Sequence, residues 1–289
     1  MTRYGAKGAL PVTVLIMILT PLLLMPLAAV YVFAGRGGWQ AFAGTLGAPD
    51  AQFALRFSML VALITASINA VLGTYAAYVL AKYRFRGREA MTVVVNLPVA
   101  IPTVVVGTSL LLLWGPIGLL GRFLDPLGFQ PMFAPAGVVL AHIFVTLPYM
   151  VSAVKPVLDE LEMTYEEAAY TIGAGRWQTF IHVILPAIKG GIFSGTLLTF
   201  AHSLGEFGAT VLVSGNLQLR TQTAPLYIFA QFEAGNLETA NAVAAVLATL
   251  SFVLFFVLLR IISPAGRRPA DVDCPEGCNE AFRRQSCGG

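Results

Sequence analysis

Glu166-Glu167-Ala168-Ala169-Tyr170-Thr171-Ile172-Gly173-Ala174-Gly175, closed nine residues later by Leu185-Pro186, is a polar, helix-capable stretch set between long apolar runs. Glu166 and Glu167 fall in what would be a first helical turn, where the helix dipole favours negative charge. Thr164 and Glu167 have the spacing of a capping box, Ala168, Ala169 and Tyr170 extend the helix, and Gly173 is placed to stop it. The expected helix has about two turns, too few to persist alone in water. It therefore needs a surface to lie on. A helix resting on lipid would show basic charge and a broad apolar face. Paired acids in their place favour a protein partner.

The runs around this stretch define the class of molecule. Of 289 residues, 57% are hydrophobic and only 11% charged, and the mean hydropathy is +0.76. A soluble domain would carry roughly 25% charged residues. The chain is thus expected to be an all-α integral membrane protein. Six segments have the roughly 20 apolar residues needed to cross a bilayer: Pro11–Phe33, Phe57–Leu80, Met91–Trp114, Ala136–Val154, Lys189–Val213 and Asn241–Ile262. The first is too long for the apolar core of a secretory signal, so a retained helix is expected. This divides the chain into an N-terminus over 1–10, a six-helix domain over 11–262 and a polar tail over 263–289.

Lys and Arg in alternate loops set the orientation. One side receives Arg3, Lys7, Lys82, Arg84, Arg86, Arg88, Lys155, Arg176, Lys189, Arg260, Arg267, Arg268, Arg283 and Arg284, against Arg36, Arg56, Arg122 and Arg220 on the other. Both termini and the Glu166–Pro186 stretch are therefore expected on the cytoplasmic side. The net charge of +3 reflects that topology and implies no nucleic-acid partner. Cys274, Cys278 and Cys287 all lie in the tail. Without a fourth ligand nearby they are not expected to hold a metal.

Between the spans, Ala34–Arg56 reads as a Gly- and Ala-rich external loop, and Arg84-Phe85-Arg86-Gly87-Arg88 as a short basic turn. Pro98, Pro102 and Pro148 fall inside spans and should kink them. Small residues at four-residue spacing, Ala66/Ala70, Gly73/Ala77 and Gly191/Gly195, allow close helix approach, either within one subunit or at a dimer seam. No G-x-x-x-x-G-K-[ST] phosphate loop and no H-E-x-x-H zinc site occurs. His142, His182 and His202 are scattered, so neither ATP hydrolysis nor Ser-His-Asp chemistry is expected of this chain.

The pattern Glu167-Ala168-Ala169, three residues, Gly173, nine residues, Val183, one residue, Leu185-Pro186 resembles the EAA loop of ABC importer permeases, with Val183 where that pattern usually carries Ile. Leu204-Gly205-Glu206-Phe207-Gly208-Ala209-Thr210 followed by Gly215-Asn216 resembles the branch that carries sulfate, molybdate and tungstate. Leu97-Pro98, Ile101-Pro102 and the Arg84–Arg88 turn are similar to that branch too, and the resemblance covers about residues 55–262. It implies a six-helix permease bundle whose EAA segment docks into a separate ATP-binding subunit. Glu166, Glu167, Ala168, Ala169, Gly173, Arg176, Leu185 and Pro186 would be the coupling residues. ATP and Mg would reside on that partner, and this chain would hold no cofactor. An extracytoplasmic oxyanion-binding protein and a second permease copy, forming a homodimer, complete the implied assembly in the inner membrane. The wording at Gly205–Thr210 favours molybdate or tungstate, with sulfate or thiosulfate next.

Glu206 is the one carboxylate expected inside a span, a position that defaults to function. Carboxylates repel oxyanions at close range, so a gating or helix-linking role is expected, bonded to Ser203 or to amides of Gly205–Gly208. His202, Ser203, Gly205, Gly208 and Thr210 flank it along the expected route. Asn69 and Asn96 read as interhelical hydrogen-bonding residues. Two other classes are consistent with these residues alone: a proton-coupled carrier using Glu206, and a membrane scaffold without transport activity.

Overall fold

The computed structural model describes residues 9–128, 130–161 and 163–262. The cysteine-bearing tail, most of the N-terminus and the side chain of Thr164 lie outside the described residues. Among the described residues the regular structure is entirely helical. In order it forms α1 (Ala9–Gly35), α2 (Gly38–Gly47), α3 (Pro49–Lys82), α4 (Arg88–Ala100), α5 (Thr103–Trp114), a short α6 (Gly121–Leu124), α7 (Pro135–Glu160), α8 (Met163–Thr171), α9 (Arg176–Thr179), α10 (Leu185–Gly205), α11 (Gly208–Ser214), α12 (Ala224–Glu233) and α13 (Leu237–Ile262).

Among the described residues five helical runs are long and apolar enough to cross a membrane, and α4 with α5 make a sixth if that bent pair counts as one span. The expected third span, Met91–Trp114, is therefore not a kinked helix: α5 is bent away from the direction of α4 by 111°. The cause is local. A residue before proline is pushed out of the α region, and Ile101, preceding Pro102, has φ −98 and ψ 136. The expected fifth span, Lys189–Val213, also departs from one helix, since Glu206 is extended between α10 and α11. The Ala34–Arg56 loop is largely helical, forming α2 and the start of α3.

The core lies where α3, α7 and α10 pack together. Ala77 and Leu80 of α3 meet Met150, Val151, Val154 and Leu158 of α7 and Ile188 of α10. The small residues are what allow this. A Cβ on Gly73 would stand 2.7 Å from Met150 Cβ, and one on Gly195 would stand 2.6 Å from Met150 Sδ. These faces thus serve packing within the subunit. Asn69 adds a polar tie, donating to Thr146 Oγ1 at 2.8 Å and to the Ile143 carbonyl at 3.2 Å across α3 and α7. Asn96 instead donates within its own helix, to Thr92 O.

Candidate functional site

Two features stand out at opposite ends of α10: the small helix α8 that precedes it and the break that follows it.

Helix α8 begins at Met163, one residue ahead of the expected Thr164 cap, and ends as the sequence implies. Gly173 has φ +86, a left-handed value that glycine adopts without steric cost. The Ala174 amide donates to Ala169 O and the Gly173 amide to Tyr170 O, both at 3.0 Å. This crossed pair is a Schellman stop, which satisfies carbonyls that a helix end otherwise leaves bare.

The two acids diverge. Glu166 turns inward, and its Oε1 lies 2.6 Å from the Nζ of Lys82, the last residue of α3, with both side chains mostly covered. Glu167 is exposed. The two alanines divide likewise: Ala169 is buried against the protein while Ala168 faces out. Tyr165, Ala168 and Ile172 give α8 an exposed and largely uncharged outer surface, with Ile172 86% exposed. Of the two adjacent alanines, only Ala168 thus lies on the outer face.

Beyond Gly175 the helix restarts. Gln178 Oε1 accepts from the Gly175 amide at 2.9 Å, capping α9. Phe180–Ile184 then forms a π-helical turn that runs directly into α10. A proline lacks the N–H for the fourth carbonyl back and collides with it. Placing a wider turn ahead of Pro186 relieves both problems without breaking the helix. Arg176 and Leu185 line a cavity of about 580 Å³ with Thr74, Tyr78, Trp177 and Phe180. The Tyr78 and Phe180 rings meet edge-on, 5.4 Å apart.

At the other end, α10 stops at Gly205 and α11 starts at Gly208. The Glu206 carboxylate, in a residue only 8% exposed, accepts from the Ala209 amide at 2.9 Å. It therefore caps α11 from just outside the helix, a stable place for a negative charge. The amide used lies one residue past the Gly205–Gly208 stretch expected from sequence. Gly208 is needed for proximity, since a Cβ there would stand 2.1 Å from Thr103 Oγ1 at the start of α5. The two breaks, at Ile101–Pro102 and at Glu206, thus pack against one another.

Sequence reasoning missed the residue that bridges this break. His142 of α7 is fully buried, with Nδ1 2.7 Å from Ser203 Oγ and Nε2 2.8 Å from Thr210 Oγ1. Ser203 precedes the gap and Thr210 follows it. One imidazole therefore joins both halves of the broken span. A neutral ring donates from one nitrogen and accepts at the other, so one hydroxyl accepts from the ring and the other donates to it. Among the described residues no carboxylate contacts the ring. Ser203 and Thr210, expected along a route, are buried and committed to His142. His202 and Gly205 are exposed. His202 stacks on Tyr149 with ring centroids 3.7 Å apart. A lone histidine in an apolar span was the available signal for His142, but only the fold supplies its two partners.

A helical bundle with five or six membrane-length apolar runs, a tethered side helix and paired breaks defines a multi-pass membrane protein. Residues 69–268 match the family described as binding-protein-dependent transport system inner membrane component. The chain is 34% identical to the sulfate transport system permease protein CysT of Escherichia coli K12, over 86% of this chain and 89% of that one. It is 40% identical to the sulfate transport system permease protein CysW of Synechocystis, over 80% and 84%. A crystal structure of a bacterial alginate ABC transporter, in complex with an alginate pentasaccharide-bound periplasmic protein, contains a chain of the same fold. The TM-score is 0.74 at 17% identity, covering 90% of this chain and 97% of that one. The chain belongs to the binding-protein-dependent inner membrane transport family: it is an ABC importer permease of the oxyanion branch, a multi-pass inner membrane protein.

Proposed function

We propose that this chain is a sulfate permease subunit, with both termini on the cytoplasmic side. The observation that carries this reading is that the relatives matching over more than four-fifths of the chain are named for sulfate transport. The preference for molybdate or tungstate drawn from Gly205–Thr210 finds no such support. Because CysT and CysW are distinct proteins and both match at similar identity, a homodimer is not favoured either. The second permease is read as a related, non-identical chain.

In this reading a separate ATP-binding subunit grips the outer surface of α8, through Ala168 and the exposed Glu167. Its closure on ATP moves α8, and the Lys82–Glu166 pair passes that motion to α3. The core of α3, α7 and α10 then carries it to the Glu206 break, where Glu206 and His142 hold the two half-helices in register. A binding protein outside the membrane selects and delivers the anion, so this chain supplies a gated route. The apolar stretches Phe57–Leu80, Met91–Trp114, Ala136–Val154 and 190–213 carry no Lys or Arg, which suits that division, since tight anion binding at mid-bilayer would want cations or converging helix N-termini.

The test is uptake of radiolabelled sulfate by cells that lack their own sulfate permeases and express this chain with its cognate partners. Sulfate uptake that requires ATP and is competed poorly by molybdate supports the reading. Uptake of molybdate in preference to sulfate, or uptake that survives ATP depletion, overturns it.

A further inference from the structure

The basic turn between α3 and α4 opens onto a cavity of about 820 Å³ that the transport reading does not use. Arg84, Phe85, Arg88, Glu89 and Thr92 line it from one side and Lys155 of α7 from the other. Its lining carries three cations and Glu89, and with Asp159 paired to Lys155 the site keeps a net charge of about +1. Lys155 shares its ammonium with Asp159 at 2.5 Å, and Arg88 uses only Nε, donating to the Leu80 carbonyl at 2.7 Å. The remaining Arg88 nitrogens and the exposed guanidinium of Arg84 have no protein partner among the described residues. Helix α4 begins at Arg88 without a side-chain cap, so its first-turn amides add to the positive field.

What lies immediately beyond this rim identifies the occupant. Val93 and Val94, one turn further along α4, are 65% and 59% exposed, and Met91 and Leu97 are exposed with them. Phe85, also exposed, sits at the rim itself. A charged cavity continuous with an apolar helix face matches a molecule with an anionic head and hydrocarbon tails, and a free anion would have no use for the apolar face. Basic pockets between membrane helices commonly take such headgroups. We propose that Arg84, Arg88 and Lys155 bind the phosphate headgroup of an anionic phospholipid whose acyl chains lie along α4.

The intact importer, purified in mild detergent and offered phosphatidylglycerol or phosphatidylcholine, would be examined by native mass spectrometry for retained lipid. Wild type should retain phosphatidylglycerol selectively. Arg84→Gln and Lys155→Gln should each weaken retention about fivefold, the fold-change that corresponds to about 1 kcal/mol per surface cation. Arg84→Lys, which keeps the charge, should restore most of it. These variants spare the Arg88–Leu80 bond, and unchanged detergent-resistant assembly establishes that they fold. Equal retention of both lipids, or variants that retain phosphatidylglycerol as wild type does, would overturn the proposal. So would displacement of the lipid by inorganic phosphate at matched concentration, which would mark a soluble-anion site. None of these outcomes depends on which solute is carried.

Discussion

Lys82 ends the longest helix of the bundle, and its Nζ stands 2.6 Å from Oε1 of Glu166 in α8. The pair spans 84 positions of sequence and is the polar tie between the small helix and the core. It is mostly covered yet near the protein surface, so its strength lies between that of an exposed pair and a buried one, about 1–2 kcal/mol. Lys82→Glu should therefore reduce ATP-dependent uptake severely while the chain still inserts. The double variant Lys82→Glu/Glu166→Lys should recover much of it. Uptake assays on matched membrane levels check this, and an additive double variant would show that the pair does not couple.

Substituting Gly173 with leucine places a β-carbon at φ +86, at a cost of about 1–2 kcal/mol. Because nothing crowds that position, the effect should be confined to the end of α8. Uptake and coupled ATPase activity should fall to background, with insertion intact by membrane fractionation.

Removing the His142 ring leaves Ser203 and Thr210 as buried hydroxyls without their partner. An unsatisfied buried group costs about 1–3 kcal/mol. His142→Ala should lower the thermal stability of the purified permease and impair uptake, measured by a melting curve in detergent alongside transport. Ser203→Ala keeps the Thr210 bond and should show the smaller loss of stability.

Glu206→Gln keeps an oxygen that can accept from the Ala209 amide, whereas Glu206→Ala removes the cap at a cost of about 1 kcal/mol. A capping role predicts that the glutamine variant transports and the alanine variant is impaired. A proton-coupled carrier would lose uptake in both, so comparing the two rates separates the mechanisms.

The spans were legible because length and apolar character are local properties, and Arg176 through Leu185-Pro186 does lead into the fifth span as read. Gly173 was legible for the same reason, as a stop signal carried by one residue. The break before Pro102 was written in the chain too, since Ile101 precedes a proline, yet two prolines in an apolar run read as kinks when hydropathy is the guide. Lys82–Glu166 and His142–Ser203–Thr210 were not legible. Each joins residues more than 60 positions apart, and no periodicity records which helices become neighbours. Glu206 was flagged by its cost in a span, but its partner Ala209 required the break to be seen.

Cross-linking tests most directly whether an ATP-binding subunit holds α8. With Ile172→Cys, at a position 86% exposed, the complete importer in native membranes should cross-link that position to its ATP-binding subunit, with a yield that changes on adding ATP. A position 172 that never cross-links to such a subunit, and is instead labelled by a membrane-impermeant thiol reagent outside intact cells, would contradict it.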